Sequence, residues 1–324
     1  MSVLVVITSY KVPDLTIDCL NSLAEEKKLV PELQVGICDN GNTDNTYQRL
    51  VDHIAENSWE EWVYIRRVSP NRGFSGGNNV ILREALQDNN CPEYFLLLNA
   101  DTLVRPGAIQ SLLHAAEQNP QAGIFGPQIG DMSDHSRVTS FRYISPVSEM
   151  IHSARTGLVT SLLKKWEISN ERRSVPKNKR WLSFACALIR KEVMNQVGVL
   201  DEGYYLYYDD VDYCRTTGNA GWEMKSVPEA VVAHIVGQST KIQEDEAKLQ
   251  RRPNYWYVSR SWYFTKFYGK LGLLGANLFW LLGRSISFLR ELVGNKKPHL
   301  CKHEIFDIWI GFFDKVTPRN SVNN

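Results

Sequence analysis

The chain lacks most of the features that would settle its class at a glance. Its six cysteines, at positions 19, 38, 91, 186, 214 and 301, are scattered and form no Cys-x-x-Cys pair. That spacing argues against a disulfide framework and fits reduced thiols in a cytosolic protein. His299, Cys301 and His303 make one isolated cluster, which reads as surface sequence rather than a zinc site. No basic, cleavable leader opens the chain, which enters a strand at once, so a cytoplasmic location is expected. A Gly-x-Gly-x-x-Gly fingerprint is missing, which weakens a nicotinamide reading. No apolar run reaches the roughly 20 residues of a membrane span. Residues 271–283 come nearest, and Arg284 and Arg290 cut them short.

Net charge is nearly absent as well, +1 over 324 residues, which gives no reason to expect a nucleic-acid partner. The balance hides an asymmetry. From Lys241 onward 14 Lys+Arg face 7 Asp+Glu, a net +7, which leaves −6 on the first 240 residues. A basic, aromatic tail on a mildly acidic body suggests a surface for anionic lipid or a diphosphate.

What is present is an alternation of apolar runs and helical patterns. Runs at 3–7, 33–38, 62–68 and 94–102 suit strands covered on both faces. Helix-like stretches at 14–28, 43–56, 75–88 and 106–118 separate and follow them, with Asp14 expected as the cap of the first. Such alternation predicts a parallel, doubly wound α/β sheet. Further strands are expected at 121–129, 180–190, 222–227 and 230–235, and helices at 191–197 and from Asp209 to Asn219. Residues 133–176 read as irregular, and 164–180 as a basic mobile loop. The division expected is a catalytic domain over 1–240 and a helical extension over 241–324.

Polar residues gather where the strands end, at the carboxyl rim where open α/β sheets bind ligands. Tyr94-Phe-Leu-Leu-Leu98 runs into Asn99-Ala100-Asp101. Asp101 lies too far from Pro106 to cap the next helix directly, which leaves its carboxylate for a ligand. Asp39 ends another run, where it can accept from a pyrimidine imide or ribose hydroxyl, or close a local Asx turn. Asn71-Arg72-Gly73-Phe74-Ser75-Gly76-Gly77 lets backbone approach a ligand at a helix start. Asp209, Asp210 and Asp212 follow the aromatic run at 204–208 and must cap a helix, meet a cation or share a proton. With Asp209 expected as cap and Asp212 turned back, Asp210 is left for chemistry. His234 closes the last strand, where it is either structural or a ligand.

Taken together, these motifs resemble the family 2 inverting glycosyltransferases, especially the rhamnosyltransferase-like branch. The resemblance runs from Val3 to about Gly269. It implies a GT-A fold that binds a nucleoside-diphosphate sugar, dTDP-rhamnose first among donors, together with Mg2+ or Mn2+. By the same resemblance Thr8, Ser9, Tyr10 and Asp39 hold the nucleoside, and Arg72, Gly73, Gly76, Asn99 and Asp101 lie along the donor. Asp101 and His234 are the implied metal ligands, and Asp210, beside Asp209, the catalytic base. The sequence departs from the family pattern at Asn99, where an Asp is usual, at Asp209 for Glu, at Lys11 for Asn, and at Phe184 for Gly. One base and no separate nucleophilic carboxylate imply single displacement with inversion. The expected acceptor is a glycan or lipid-linked glycan, with peripheral membrane contact through 271–293. The competing expectation is that this segment packs internally or pairs two copies as a homodimer. Two other functions stay open from sequence: an inactive sugar-nucleotide-binding scaffold, and a nucleotidyltransferase of related fold.

Overall fold

A computed structural model describes residues 1–130, 140–168, 180–235, 247–294 and 297–313. The first half alternates as expected: β1 (Val3–Ser9), α1 (Pro13–Leu29), β2 (Leu33–Asn40), α2 (Thr46–Glu56), β3 (Val63–Val68), α3 (Gly73–Gln87) and β4 (Tyr94–Asn99). Then come β5 (Thr102–Val104), α4 (Ala108–Gln118), β6 (Ala122–Gly130), β7 (Ser140–Arg142), α5 (Pro146–Ala154) and α6 (Gly157–Leu162). The remainder comprises β8 (Arg180–Leu182), β9 (Cys186–Arg190), α7 (Lys191–Val197), α8 (Asp209–Asn219), β10 (Glu223–His234), α9 (Asn254–Leu292) and α10 (Glu304–Asp307).

Eight strands form one sheet in the order β3-β2-β1-β4-β9-β6-β10-β5, while β7 and β8 pair separately. β3, β2, β1 and β4 are mutually parallel, as are β6 and β10; β9 and β5 run the other way. The continuous apolar runs follow from burial on both faces. Val3, Val5 and Ile7 pack towards α1, α2 and α4, whereas Leu4 and Val6 pack towards α3, α7 and α8. Four parallel strands therefore deliver their carboxyl ends to one rim.

Several expectations need correction. The run at 94–102 breaks after Asn99, because the chain must turn before pairing antiparallel as β5. The strand expected at 180–190 is two strands in different sheets, and those at 222–227 and 230–235 are one strand with a bulge at Val227/Val231. Asp14 is not the cap of α1: Pro13 already occupies its first turn and Val12 precedes it. Within 133–176, expected to be irregular, α5 starts with a capping box between Ser145 and Ser148. Residues 169–179, most of the expected basic loop, and Gly237–Ser239 lie outside the described residues.

α9 packs along α5. Buried Arg260 donates to Glu149 Oε2 from Nε (2.9 Å) and Nη2 (2.7 Å), and to Asn277 Oδ1 from Nη1 (2.8 Å). Gly283 lets the two helices touch, since a Cβ there would lie 2.4 Å from the Met150 carbonyl oxygen. By length and composition α9 is long and apolar enough to cross a membrane, with mean hydropathy 1.3 in its most apolar stretch. The sequence reading ended the apolar run at Arg284, but that arginine is buried and the helix continues past it; at Gly269, with φ 70°, α9 is kinked between two helical segments.

Candidate active site

The site starts with a turn. After Asn99 the chain reverses through Ala100 and Asp101, held by Thr102 Oγ1 donating to the Asn99 carbonyl (2.7 Å). Pairing of β5 with β10 sets Thr102 opposite His234, and Ile235 N–H donates to the Asp101 carbonyl (2.9 Å). Two residues far apart in sequence are thereby fixed side by side: Asp101 Oδ1 lies 3.1 Å from His234 Nε2. Asn99 Nδ2 lies 3.4 Å from the same nitrogen. Asp101 is only 4% exposed, so its carboxylate is held rather than solvated.

Beside this pair opens a cleft of about 260 Å³. Thr8 and Tyr10, from the end of β1, form one wall; Asn99, Ala100 and Asp101 form the floor next to it. The opposite side is made by Asn40, Asn71 and the start of α3 at Gly73 and Phe74. Tyr205, Leu206 and Tyr255 close it, with the two tyrosine rings tilted at 5.4 Å. Thr8 Oγ1 is buried without a hydrogen-bond partner among the described residues, and it borders this space.

The glycine turn is tied to β2 by one side chain. Asn40 Nδ2 donates to the Gly73 carbonyl (2.9 Å) and to Asn71 Oδ1 (3.1 Å), while its Oδ1 accepts from Arg72 N–H (2.9 Å). Gly73 sits at φ +70°, and a Cβ there would fall 2.1 Å from the Tyr205 carbonyl oxygen. That carbonyl accepts from Phe74 N–H (2.7 Å), which clamps the 204–208 run onto the start of α3. Only glycine meets both conditions.

Other expected donor residues stand behind the wall. Ser9 is buried with its hydroxyl against Thr16 Oγ1 (2.8 Å). Asp39 is buried; it accepts from the side chain and backbone of Asn42, and Arg67 Nε lies 3.2 Å from its Oδ2. The local turn weighed for Asp39 therefore forms, and burial raises its pKa above the usual carboxylate range. Arg72 contributes its backbone to the turn, and Gly76 packs on the Arg72 Cβ. Sequence reasoning missed Asn40, Asn42 and Tyr255. The two asparagines were visible in the Asp39–Asp44 polar run, whereas nothing local marked Tyr255.

The acidic cluster lies at the start of α8. Tyr207 and Tyr208 both adopt positive φ (69° and 67°), a strained pair that swings the chain into the helix. Asp209 was expected to cap α8, but Tyr208 holds that position and Asp209 begins the helix proper. Asp212 meets a cation: Lys266 Nζ donates to its Oδ1 (2.9 Å) and the Tyr204 hydroxyl to its Oδ2 (2.7 Å). Asp210 has no such cation among the described residues. Burial pushes its pKa up to about 7, against the pull of the Val211 and Phe184 backbone N–H groups. Asp209 is raised well above its usual value by burial and then by the neighbouring Asp210 charge. Phe184 connects this pair to the rim, because the next residue, Ala185, accepts from Asn99 N–H (3.0 Å).

A large, mostly parallel sheet flanked by helices, with polar residues along its carboxyl rim, is the architecture of the GT-A glycosyltransferases. The solved structures agree on the fold. A mannosyltransferase from Pyrobaculum calidifontis in complex with GDP-Man and Mn2+ matches at TM-score 0.53 and 14% identity, over 92% of this chain and 81% of that one. GalNAc-T7 with UDP, GalNAc and Mn2+ matches at TM-score 0.56 and 14% identity, over 91% of this chain and 54% of its own. In sequence, residues 2–257 match the family described as glycosyltransferase like family 2, and the chain belongs to that family. An N-acetylglucosaminyl-diphospho-decaprenol L-rhamnosyltransferase of Mycobacterium tuberculosis is 31% identical over 234 residues, 68% of this chain and 70% of that protein.

Proposed function

We propose that this glycosyltransferase moves a sugar from a nucleoside diphosphate to a hydroxyl of a glycan or lipid-linked glycan, with inversion. Rhamnose from dTDP-rhamnose is the first donor to test, on the strength of the rhamnosyltransferase relative. The observation that carries the reading is one connected rim. Asp101 lines the cleft with His234 against it, and Asp210 is tied to the same strand end through Phe184, Ala185 and Asn99.

Asp210 takes the acceptor hydroxyl proton on its carboxylate as the oxygen attacks the anomeric carbon. A pKa near 7 suits that task, since the group is both ionised and basic at neutral pH. Asp209 keeps its own proton and so spares Asp210 a second negative charge. Tyr205 and Tyr255 offer rings that shield the reacting sugar from water. The start of α3 borders the cleft at Gly73 and Phe74, where its helix dipole favours the diphosphate.

The chemistry of the rim fits Mg2+ or Mn2+. Asp101 and His234, side by side at 3.1 Å, would hold the ion through one carboxylate oxygen and one imidazole nitrogen. Among the described residues no cluster of three or more His, Cys, Asp or Glu could hold a metal unaided, so donor phosphate and water would complete the shell. The cation would offset the charge gathering on the departing diphosphate. Calorimetric titration with several nucleotide sugars, alongside release of free nucleoside diphosphate, tests the whole reading. Binding without release in the presence of every acceptor tried would favour a non-catalytic binding protein; release of pyrophosphate from a nucleoside triphosphate would favour a nucleotidyltransferase.

A further inference from the structure

The second half of α9 is inside out for a helix of a water-soluble surface. Its inner face, turned to α5, carries Asn277, Arg284 and Ser287 among Leu273, Ala276 and Trp280, all buried. Its outer face carries Leu271, Leu278, Leu282, Leu289 and Leu292, each at least half exposed. A soluble surface helix has the reverse arrangement. Phe288 and Val293 widen the outer face. Apolar side chains are exposed off the helix as well. α5 ends against Gly283, and the chain then enters α6, whose Leu158 and Leu162 are also exposed, followed by Trp166.

The segments that carry these apolar residues also carry unpaired cations. Lys164, Lys165, Lys270 and Arg290 are in no ion pair among the described residues. The acids of the same region are already matched: Glu291 with Arg284, Glu304 with Arg252 and Asp307 with Arg251. A seam between two helices favours charges of both signs along its flanks. An apolar stripe flanked by unmatched cations and a tryptophan instead fits the interface of an anionic bilayer.

We propose that the outer face of α9 beyond Gly269, together with α6 and Trp166, is a docking surface for anionic lipid bilayer. Arg260, paired with Glu149 of α5, and the close approach of the two helices at Gly283 hold α9 against the protein, so it lies on the bilayer and does not cross it. The proposal extends the lipid-linked acceptor reading, yet it stands or falls separately from donor and mechanism.

The test is flotation of the full chain with phosphatidylcholine vesicles, with and without phosphatidylglycerol, at low and high salt. Wild type should float only with the anionic vesicles, and less so in high salt. Lys164→Gln and Lys165→Gln should each weaken binding about fivefold. Leu282→Glu with Leu289→Glu should abolish it, with nucleoside diphosphate release towards a short water-soluble acceptor unchanged. Failure of wild type to float at low salt, or unimpaired floating of the double Glu variant, overturns the proposal. So does a solution dimer that this variant splits while wild type ignores vesicles, because the leucines would then cover a second copy.

Discussion

Replacing Asp210 by Asn removes the proton acceptor while keeping size and most hydrogen bonds. Loss of a general base costs on the order of 10²–10⁴ in rate, so Asp210→Asn should turn over hundreds to thousands of times more slowly, with donor affinity nearly intact. The wild-type pH profile carries independent information. With a pKa of about 7, the ionised fraction of Asp210 rises with pH. The rate at low donor should therefore climb about tenfold between roughly pH 6 and pH 8 and then level off. Stability should move the opposite way. Above about pH 4 the unfolded chain has released this proton, while the folded chain keeps it until about 7, so folding weakens as pH rises through that window. Asp210→Asn escapes that loss and should gain on wild type by a few kcal/mol at most, more at alkaline than at acid pH. Diphosphate release across the pH range, with urea melts at both ends, reads all three. Near-wild-type turnover in the Asn variant, or a flat profile, removes Asp210 from the mechanism.

Other perturbations test the supports of the site. Asp101→Ala, or excess chelator, should suppress transfer and cut Mn2+ affinity, with His234→Ala a milder version; full activity in chelator would end the metal reading. Gly73→Ala must strain a φ of +70° and displace the Tyr205 carbonyl, so it should cost on the order of 1–3 kcal/mol and weaken donor binding; calorimetry and thermal melts measure both. Glu149→Ala strands buried Arg260 and should cost about 3–5 kcal/mol, whereas Glu149→Leu with Arg260→Met should recover most of it in urea titration.

The sheet was legible because its strands are buried on both faces and read as unbroken aliphatic runs, as Val3–Ile7 and Tyr94–Leu98 do. Helices α1 to α4 followed from apolar spacing, though their starts were less clear. The cap of α4 is an example. Glu26, from the buried side of α1, accepts from Gly107 and Ile109 N–H across 81 and 83 residues, which no local pattern announces. The same holds at the site. Asp101, His234 and Asp210 were visible as polar residues at element ends, but the meeting of Asp101 with His234 depends on the β5–β10 register. Tyr255 was invisible for the same reason, and the reversal of β9 within a parallel sheet left no trace in its composition.

The pairing of Asp101 with His234 also sets a date for the completed rim. The two are 133 residues apart, and a chain growing at about 5–20 residues per second needs roughly 7–27 seconds to get from one to the other. The strands from β1 to β4 exist by then and can already collapse together. Their rim lacks its histidine until β10 emerges, and its Tyr255 until α9 begins. On the roles proposed for these residues, a nascent chain has half a pocket and cannot transfer sugar until Tyr255 has emerged.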